Sequence, residues 1–165
     1  LVLAGFFATT AYSAVAKGIH PPSHIETINP KTVMQDDRFR TQGVWLDEKG
    51  DVHVTVVGLM FTWLPTTLTL PADTPITFHL TSMDVIHGYQ IIRTNGQVMV
   101  VPVYVSQFTT TFPHTGEYLV ACNEYCGVGH HQMASTMTVV PASEWVRPEE
   151  AKQSPFVNAG GSPDH

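Results

Sequence analysis

The sequence predicts an all-β domain, a sandwich or a barrel, between residues 51 and 140. Residues 52–56 read Val-His-Val-Thr-Val, an alternation with period two that is typical of a half-buried strand. Further short segments are rich in β-branched or aromatic residues: 66–70, 76–81, 89–92, 98–101, 108–112, 117–121 and 136–140. Turn signals such as Thr94-Asn95-Gly96 separate them. Short strands spaced in this way form sandwiches or barrels.

Residues 1–16 are uncharged and begin Leu-Val-Leu-Ala-Gly-Phe-Phe, a composition typical of a membrane segment. A spanning helix needs about 20 apolar residues, so we expect this segment to be the carboxyl-terminal part of a single transmembrane anchor helix. A secretory signal peptide is the alternative, because Ala14-Val15-Ala16 has the small-x-small form of a cleavage site. The segment has no basic region of the kind that precedes a signal peptide's apolar stretch.

The regions that flank the β domain are predicted to be irregular. Residues 17–50 contain Pro21-Pro22 and Asn29-Pro30 and are expected to form an extended connector laid over a neighbouring protein. Residues 141–165 are polar and rich in proline and glycine, which predicts an irregular tail with at most a short helix from Ser143 or Pro148. The net charge of −6 and the absence of a basic stripe exclude nucleic acid as a partner.

One loop in the second half of the chain has the composition of a soft-metal site. It reads Cys122-Asn-Glu-Tyr-Cys126-Gly-Val-Gly-His130-His-Gln-Met133. Thiolate, imidazole and thioether ligands together favour copper, and a mononuclear blue-copper site needs a single cysteine with two histidines and a methionine. The second cysteine is explained if both sulfurs bridge two copper ions. His87, after the predicted strand 76–81, is the candidate for the further histidine.

Two other interpretations of the loop are weaker. A disulfide between Cys122 and Cys126 would close a very short ring and would leave His130 and Met133 without a role. A zinc site of two cysteines and two histidines would still leave Met133 unexplained. The other histidines, including His53 and His79, have no partner pattern and are expected to be framework or surface residues.

His87 followed by the loop from Cys122 to Met133 resembles the CuA domain of cytochrome c oxidase subunit II. The resemblance covers about residues 51–140. Its sequence motifs are most similar to those of the B-type branch of the haem-copper oxidases: Asp-Val-Ile-His-Gly at 84–88 and Cys-Gly-Val-Gly-His at 126–130. It implies a cupredoxin-like Greek-key β-sandwich with the metal ligands on loops at one end.

The resemblance also implies the ligands of a binuclear copper centre. Cys122 and Cys126 would be bridging thiolates, His87 and His130 terminal ligands, and Met133 a weak axial ligand. Glu124 would contribute its backbone carbonyl. In A-type members a glutamate at this position also binds magnesium at the interface with the catalytic subunit. A magnesium role for Glu124 is therefore a further hypothesis, against the alternative of a solvated carboxylate.

The implied function is electron transfer. The chain would accept single electrons from a soluble cytochrome c or a small blue copper protein and pass them to haem in catalytic subunit I, where oxygen is reduced. It would be held in the cell membrane with the copper domain on the external, periplasmic side. Two alternatives remain: the CuA subunit of a nitric oxide reductase, and a soluble periplasmic copper carrier.

The segment around residues 57–65 departs from the family. Leu59 stands where A-type members carry the tryptophan that receives the electron, which leaves Phe61 and Trp63 as candidates for electron input. The alternative is that both side chains belong to the core. The apolar run Leu59-Met60-Phe61 predicts that the donor docks through nonpolar contacts rather than through charge steering.

Overall fold

The computed structural model describes residues 2–16, 26–148, 151–152 and 156. They belong to two compact units. The first contains helix α1 (Val2–Ala16), which lies in the segment that the sequence predicts to be the membrane anchor. Among the described residues, no helix combines the length and the apolar character needed to span a membrane. The second unit, residues 26–157, contains the β-strands.

The strands of the second unit form two sheets. The first sheet consists of β1 (Gly43–Asp47), β2 (Val52–Leu59), β3 (Thr62–Leu64), β5 (Ile76–Ser82), β8 (Ser106–Thr110) and β11 (Ala151–Lys152). Its strands pair in the order β11-β1-β2-β5-β8, and β3 also pairs with β2. The second sheet consists of β4 (Thr67–Pro71), β6 (His87–Ile91), β7 (Gln97–Val100), β9 (Gly116–Cys122) and β10 (Ala134–Val140). Its strands pair in the order β4-β10-β9-β6-β7. The predicted β-sandwich is confirmed.

The main core lies between the two sheets. It contains Val54 and Phe78 from the first sheet, and Tyr89, Val120 and Met137 from the second. The parallel pairs β2–β5 and β4–β10 join strands that are separated in the chain, as a Greek-key arrangement requires. The core therefore packs together strands that are far apart in the sequence.

Residues 26–50 are not the extended connector that the sequence predicts. Pro30–Gln35 form a 3-10 helix, and the Asn29 side chain accepts a hydrogen bond from the Lys31 N–H at 3.0 Å. The Asn29-Pro30 pair starts this helix, because asparagine caps a helix well and proline fits its first turn. Part of the predicted connector, residues 17–25, lies outside the described residues.

The segment after Glu26 covers the first sheet and forms a second core. Its buried members are Ile28, Val33, Phe39, Trp45, Val57 and Phe156. The alternating sequence of β2 predicts a strand with one buried face. Because this second core covers its other face, β2 is buried along both faces. Arg38 fastens the segment through ion pairs to Glu26 at 2.6 Å and Asp36 at 2.7 Å.

The region after Val140 begins with a turn rather than a helix. The Glu144 and Trp145 N–H groups both bond to the Pro141 carbonyl, and the Trp145 indole donates to the Thr69 carbonyl at 3.1 Å. The helix considered from Ser143 therefore does not form. Residues 149–150, 153–155 and 157–165 lie outside the described part of the chain.

Candidate metal centre

The predicted ligands come from two neighbouring strands and one loop. His87 is the first residue of β6 and Cys122 is the last residue of β9. These strands are paired with Tyr89 opposite Cys122, so the sheet brings His87 next to the cysteine loop. His130 begins a short 3-10 helix, His130–Gln132, and Met133 follows that helix. The fold thus closes a gap of 35 residues between the two halves of the site.

The two cysteines are close together without being bonded. Their Sγ atoms lie 3.8 Å apart, against about 2.0 Å in a disulfide. His87 Nδ1 lies 3.9 Å from Cys122 Sγ, and His130 Nδ1 lies 3.6 Å from Cys126 Sγ. Ligand atoms lie about 2.0–2.3 Å from a transition metal, so two ligands of one ion are within about 4.6 Å of each other. These spacings fit shared metal ligation.

Two uncharged donors, a thioether sulfur and a backbone carbonyl oxygen, complete the cluster. Met133 Sδ lies 3.7 Å from Cys126 Sγ, and the Glu124 carbonyl oxygen lies 3.2 Å from Cys122 Sγ. Both cysteines and Met133 are buried, whereas the Glu124 side chain is exposed. The donor set is that of a buried copper site, because polarizable sulfur and imidazole favour copper over harder cations.

The loop backbone is fixed by glycine geometry and by hydrogen bonds. Gly127 has φ +130°, which favours glycine because a Cβ would be strained there. The His130 N–H donates to the Gly127 carbonyl at 3.0 Å, and the Cys122 N–H donates to the Met133 carbonyl at 3.0 Å. These bonds tie the end of the loop back to its beginning.

Asp84, which the sequence analysis did not assign, orients His87. Its Oδ1 lies 2.9 Å from His87 Nε2, which leaves Nδ1 directed at Cys122. A carboxylate in this position fixes the ring and its tautomer. Burial acts to raise the pKa of Asp84, but hydrogen bonds from His87 and from the Met60 and Val85 N–H groups lower it overall. Asp84 is therefore held as a carboxylate.

Burial raises the pKa of the Cys126 thiol, and the neighbouring Cys122 raises it further. A cysteine binds metal as the thiolate, so metal binding must displace this proton. The raised pKa therefore makes metal affinity dependent on pH.

The two predicted electron-input residues differ in exposure. Trp63 is only 1% exposed and packs edge-on to His87, with ring centroids 5.6 Å apart. Of the two alternatives that the sequence leaves open for Trp63, the structure therefore supports the core: β3 turns its indole into the sandwich opposite Gly58. Phe61 is half-buried and packs against the main core.

Exposed apolar side chains lie on the segments that carry or contact the ligands. We call Met60, Ile86, Tyr125 and Val128 the apolar rim; they are 51%, 45%, 72% and 86% exposed. The Tyr125 ring lies edge-on to His130 with centroids 5.8 Å apart. Of the apolar run at residues 59–61, Met60 is exposed, and further exposed apolar side chains lie on the metal loop itself.

The fold and the site together define a cupredoxin-like domain with a two-cysteine copper centre. Residues 49–140 match the sequence model of the family described as cytochrome c oxidase subunit II, periplasmic domain. A cytochrome c oxidase subunit 2 of Thermus thermophilus is 36% identical over 138 residues, which are 81% of this chain and 82% of that protein. A second Thermus thermophilus sequence of the same name is 36% identical over 124 residues, 74% of this chain and 92% of its own length.

Solved structures agree with the sequence relatives. A chain from the cryo-EM structure of a haem-copper terminal oxidase dimer superimposes with a TM-score of 0.62 at 29% identity, over 84% of this chain and 92% of its own. The periplasmic domain of cytochrome oxidase subunit II from Bradyrhizobium japonicum, at 19% identity and TM-score 0.52, shares the fold over 56% of this chain and 86% of its own.

This chain belongs to the cytochrome c oxidase subunit II family. It is the electron-transfer subunit of that haem-copper oxidase, and its two cysteines with His87 fit the binuclear copper centre CuA. The predictions of family, cofactor and oxidase function are confirmed, and the nitric oxide reductase and copper-carrier alternatives are not favoured.

Proposed function

We propose that six residues supply the ligands of the copper pair: His87, Cys122, Glu124 through its carbonyl, Cys126, His130 and Met133. The observation that carries this ligand set is the convergence of two thiols and two imidazoles, with separations of 3.6–3.9 Å. When bound by these residues, a copper pair would supply a centre that takes up and releases single electrons. The protein's part is to hold the donors in fixed, buried positions, which limits rearrangement when the charge changes.

Metal analysis and electron spin resonance of the copper-loaded chain test this ligand set. We expect two coppers per chain and a mixed-valence spectrum with one electron shared between two copper nuclei. His130→Ala should abolish that spectrum, whereas His131→Ala, a change of the exposed neighbouring histidine, should leave it intact. One copper with a mononuclear spectrum would contradict the proposed bridge.

We further propose that the electron donor docks on the apolar rim, with Phe61 beneath it. We propose as donor a soluble single-electron protein, a cytochrome c or a small blue copper protein. Support comes from the exposure of four apolar side chains around the loop that carries His130. Nonpolar contact is not screened by salt, whereas exposed charges are screened over about 8 Å at physiological ionic strength.

Stopped-flow reduction of the oxidase by its donor tests the docking surface. The rate of the wild-type protein should change little across a salt series. Val128→Lys should slow reduction by placing a charge within the rim. Val146→Lys is the matched control, because Val146 is 87% exposed but follows the turn after β10. Equal rates for the two variants, or a steep salt dependence in wild type, would exclude docking on the rim.

On the acceptor side, we propose that the chain passes electrons to haem in catalytic subunit I from the periplasmic face of the cell membrane. Residues 1–16 would belong to a single transmembrane anchor. The apolar composition of that segment and the helix Val2–Ala16 support this proposal. Copurification of the natural full-length protein with a multi-span haem protein, from detergent-solubilised membranes, is expected. Recovery in the soluble fraction without haem would contradict it.

Glu124 is proposed to bind magnesium at the subunit interface through its carboxylate. Its exposed side chain can reach a partner, while its carbonyl faces Cys122. Magnesium accepts one or two protein carboxylates and completes its shell with other oxygens. In the assembled oxidase, Glu124→Gln should lose bound magnesium or manganese while the copper spectrum is retained. Unchanged metal content would refute this role.

A further inference from the structure

We propose that the turn between β2 and β3 is a positioning element for both histidine ligands of the copper centre. We call residues 58–63 the clamp hairpin. It supplies no ligand, yet it contacts the segment that carries His87 and the segment that carries His130. The inference rests on the proposed ligand set and goes beyond it, because it assigns the constraint that fixes the separation of the two histidines.

The first contact is between Phe61 and the turn before His130. A Cβ built on Gly129 would lie 2.4 Å from Phe61 Cδ2 and 2.6 Å from Cγ, closer than real Cβ contacts. Gly129 has φ −93° and ψ 6°, in the bridge region that residues with a side chain can also adopt. The backbone therefore does not demand glycine there; the Phe61 ring does. Gly127 differs, because its φ of +130° favours glycine by itself.

The second contact is between Trp63 and His87. A Cβ on Gly58 would lie 3.0 Å from Trp63 Cζ3 and 3.1 Å from His87 Cδ2, so the missing side chain makes room for both rings. Gly58 is the cross-strand partner of Trp63 in the β2–β3 pair. The pairing of Gly58 with Trp63 therefore places the indole of Trp63 in contact with the imidazole of His87.

A third contact reaches His87 through Asp84. The Met60 N–H donates to Asp84 Oδ2 at 2.6 Å, and the other oxygen, Oδ1, lies 2.9 Å from His87 Nε2. The hairpin backbone therefore fixes the carboxylate that orients the ring. His87 thus contacts an indole that belongs to the hairpin and a carboxylate that accepts a hydrogen bond from the hairpin backbone.

These contacts make the clamp hairpin a single body that sets the positions of both histidines. Groups beside metal ligands typically change metal affinity 10–100-fold when they are removed. Because Phe61 touches the loop and not the metal ligands' donor atoms, its removal should loosen His130 without deleting a donor. Copper should then bind more weakly and in an altered environment.

The test uses the full chain loaded with copper. Three quantities are measured: the copper dissociation constant by chelator competition, the copper hyperfine splitting, and the melting temperature of the metal-free chain. Phe61→Ala should weaken copper binding about tenfold and change the hyperfine splitting. Phe61→Leu should lie between Phe61→Ala and wild type. Phe112→Ala is the matched control, since Phe112 is fully buried beside Asp73, at the end of the sandwich away from Cys122.

The control should lower the melting temperature and leave the hyperfine splitting as in wild type. Gly129→Ala tests the contact from the other side: the added methyl meets the Phe61 ring and should perturb the spectrum. In the Phe61→Ala background the same methyl meets no ring, so the double variant should resemble Phe61→Ala alone. If Phe61→Ala does not fold, Gly129→Ala and Phe61→Leu decide the question.

An unperturbed spectrum and dissociation constant in Gly129→Ala would overturn the clamp. Strictly additive effects in the double variant would overturn it as well. A wild-type chain without the paired-copper spectrum would overturn the ligand set and the clamp together, whereas a normal wild-type spectrum with silent variants overturns the clamp alone. The two failures are therefore distinguishable.

Discussion

Acid should destabilise this protein through a buried pair of histidines outside the copper site. His53 Nδ1 and His79 Nε2 lie 3.0 Å apart on neighbouring strands of the first sheet. Trp45 stacks on His53 with centroids 4.3 Å apart, and Phe156 stacks on His79 at 3.8 Å. One ring donates and the other accepts, which two neutral imidazoles can do, and burial of His79 disfavours the charged form.

The magnitude follows from the pKa of His79. Burial, and after it repulsion from His53, lowers this pKa from 6.5 to about 3. The unfolded chain therefore binds a proton below pH 6.5 that the folded chain does not bind until about pH 3. Stability from this group is fully present above pH 6.5 and is lost progressively as the pH falls. Each pH unit is worth 1.36 kcal/mol, so at pH 5 the free energy of unfolding should be lower by about 2 kcal/mol.

The effect should be somewhat larger in practice, because His53 acts in the same direction. Burial lowers the pKa of His53, although attraction from Asp47 and Asp51 opposes part of this shift. A loss of about 2 kcal/mol is a large fraction of the 5–15 kcal/mol that stabilises a typical domain. Exposed histidines contribute little, since their environment is similar in the folded and unfolded chains.

Urea unfolding of the metal-free chain at pH 7, 6 and 5 measures this loss. In His79→Gln the group that titrates is gone, so the decrease between pH 7 and 5 should shrink by about 2 kcal/mol. His114→Gln is the control, because His114 is exposed and should retain the wild-type slope. A wild-type free energy that stays constant from pH 7 to 5, or equal slopes for His79→Gln and wild type, would refute the reasoning.

Three further predictions concern the copper centre. Cys126→Ser should abolish the paired-copper visible spectrum while circular dichroism still reports a folded sandwich; persistence of that spectrum would mean that the bridge is misassigned. Asp84→Ala should weaken copper binding 10–100-fold in a chelator competition, because His87 loses its orienting carboxylate, whereas Glu117→Ala, a change of an exposed acid, should not. Trp63→Ala should lower the free energy of unfolding by about 3–5 kcal/mol and also change the copper spectrum; an unchanged urea midpoint would contradict its burial.

Local patterns in the sequence predicted the strands that carry the site. The predicted segment 117–121 lies within β9, and 136–140 lies within β10. These strands are rich in apolar and β-branched residues and are flanked by turn residues, so their residues alone identify them. Strands β1, β3 and β11 were not predicted, because they are short and are stabilised by pairing with β2 and β1 rather than by their own pattern.

The copper loop could be recognised in the sequence because its four proposed side-chain ligands lie within twelve residues. His87 was harder, since only the pairing of β6 with β9 brings it to the loop. The sequence left the burial of Trp63 undecided for a related reason: a strand of three residues has no periodicity that could indicate which face is buried. Asp84 was missed because its contact with His87 depends on the turn before β6, not on a regular spacing.

The glycines around the copper site illustrate contacts that cannot be predicted from the sequence alone. In sequence, Gly129 is simply a turn former, yet its φ of −93° is ordinary and the Phe61 ring is what excludes a side chain. Gly88 is similar: a Cβ there would lie 1.8 Å from Asn123 Oδ1, in a place where the Asn123 N–H also donates to the Gly88 carbonyl at 3.0 Å. Such glycines allow strands, loop and hairpin to approach without intervening side chains. Electron transfer benefits from this closeness, because donors that cannot shift need little reorganisation when the charge on the metal changes.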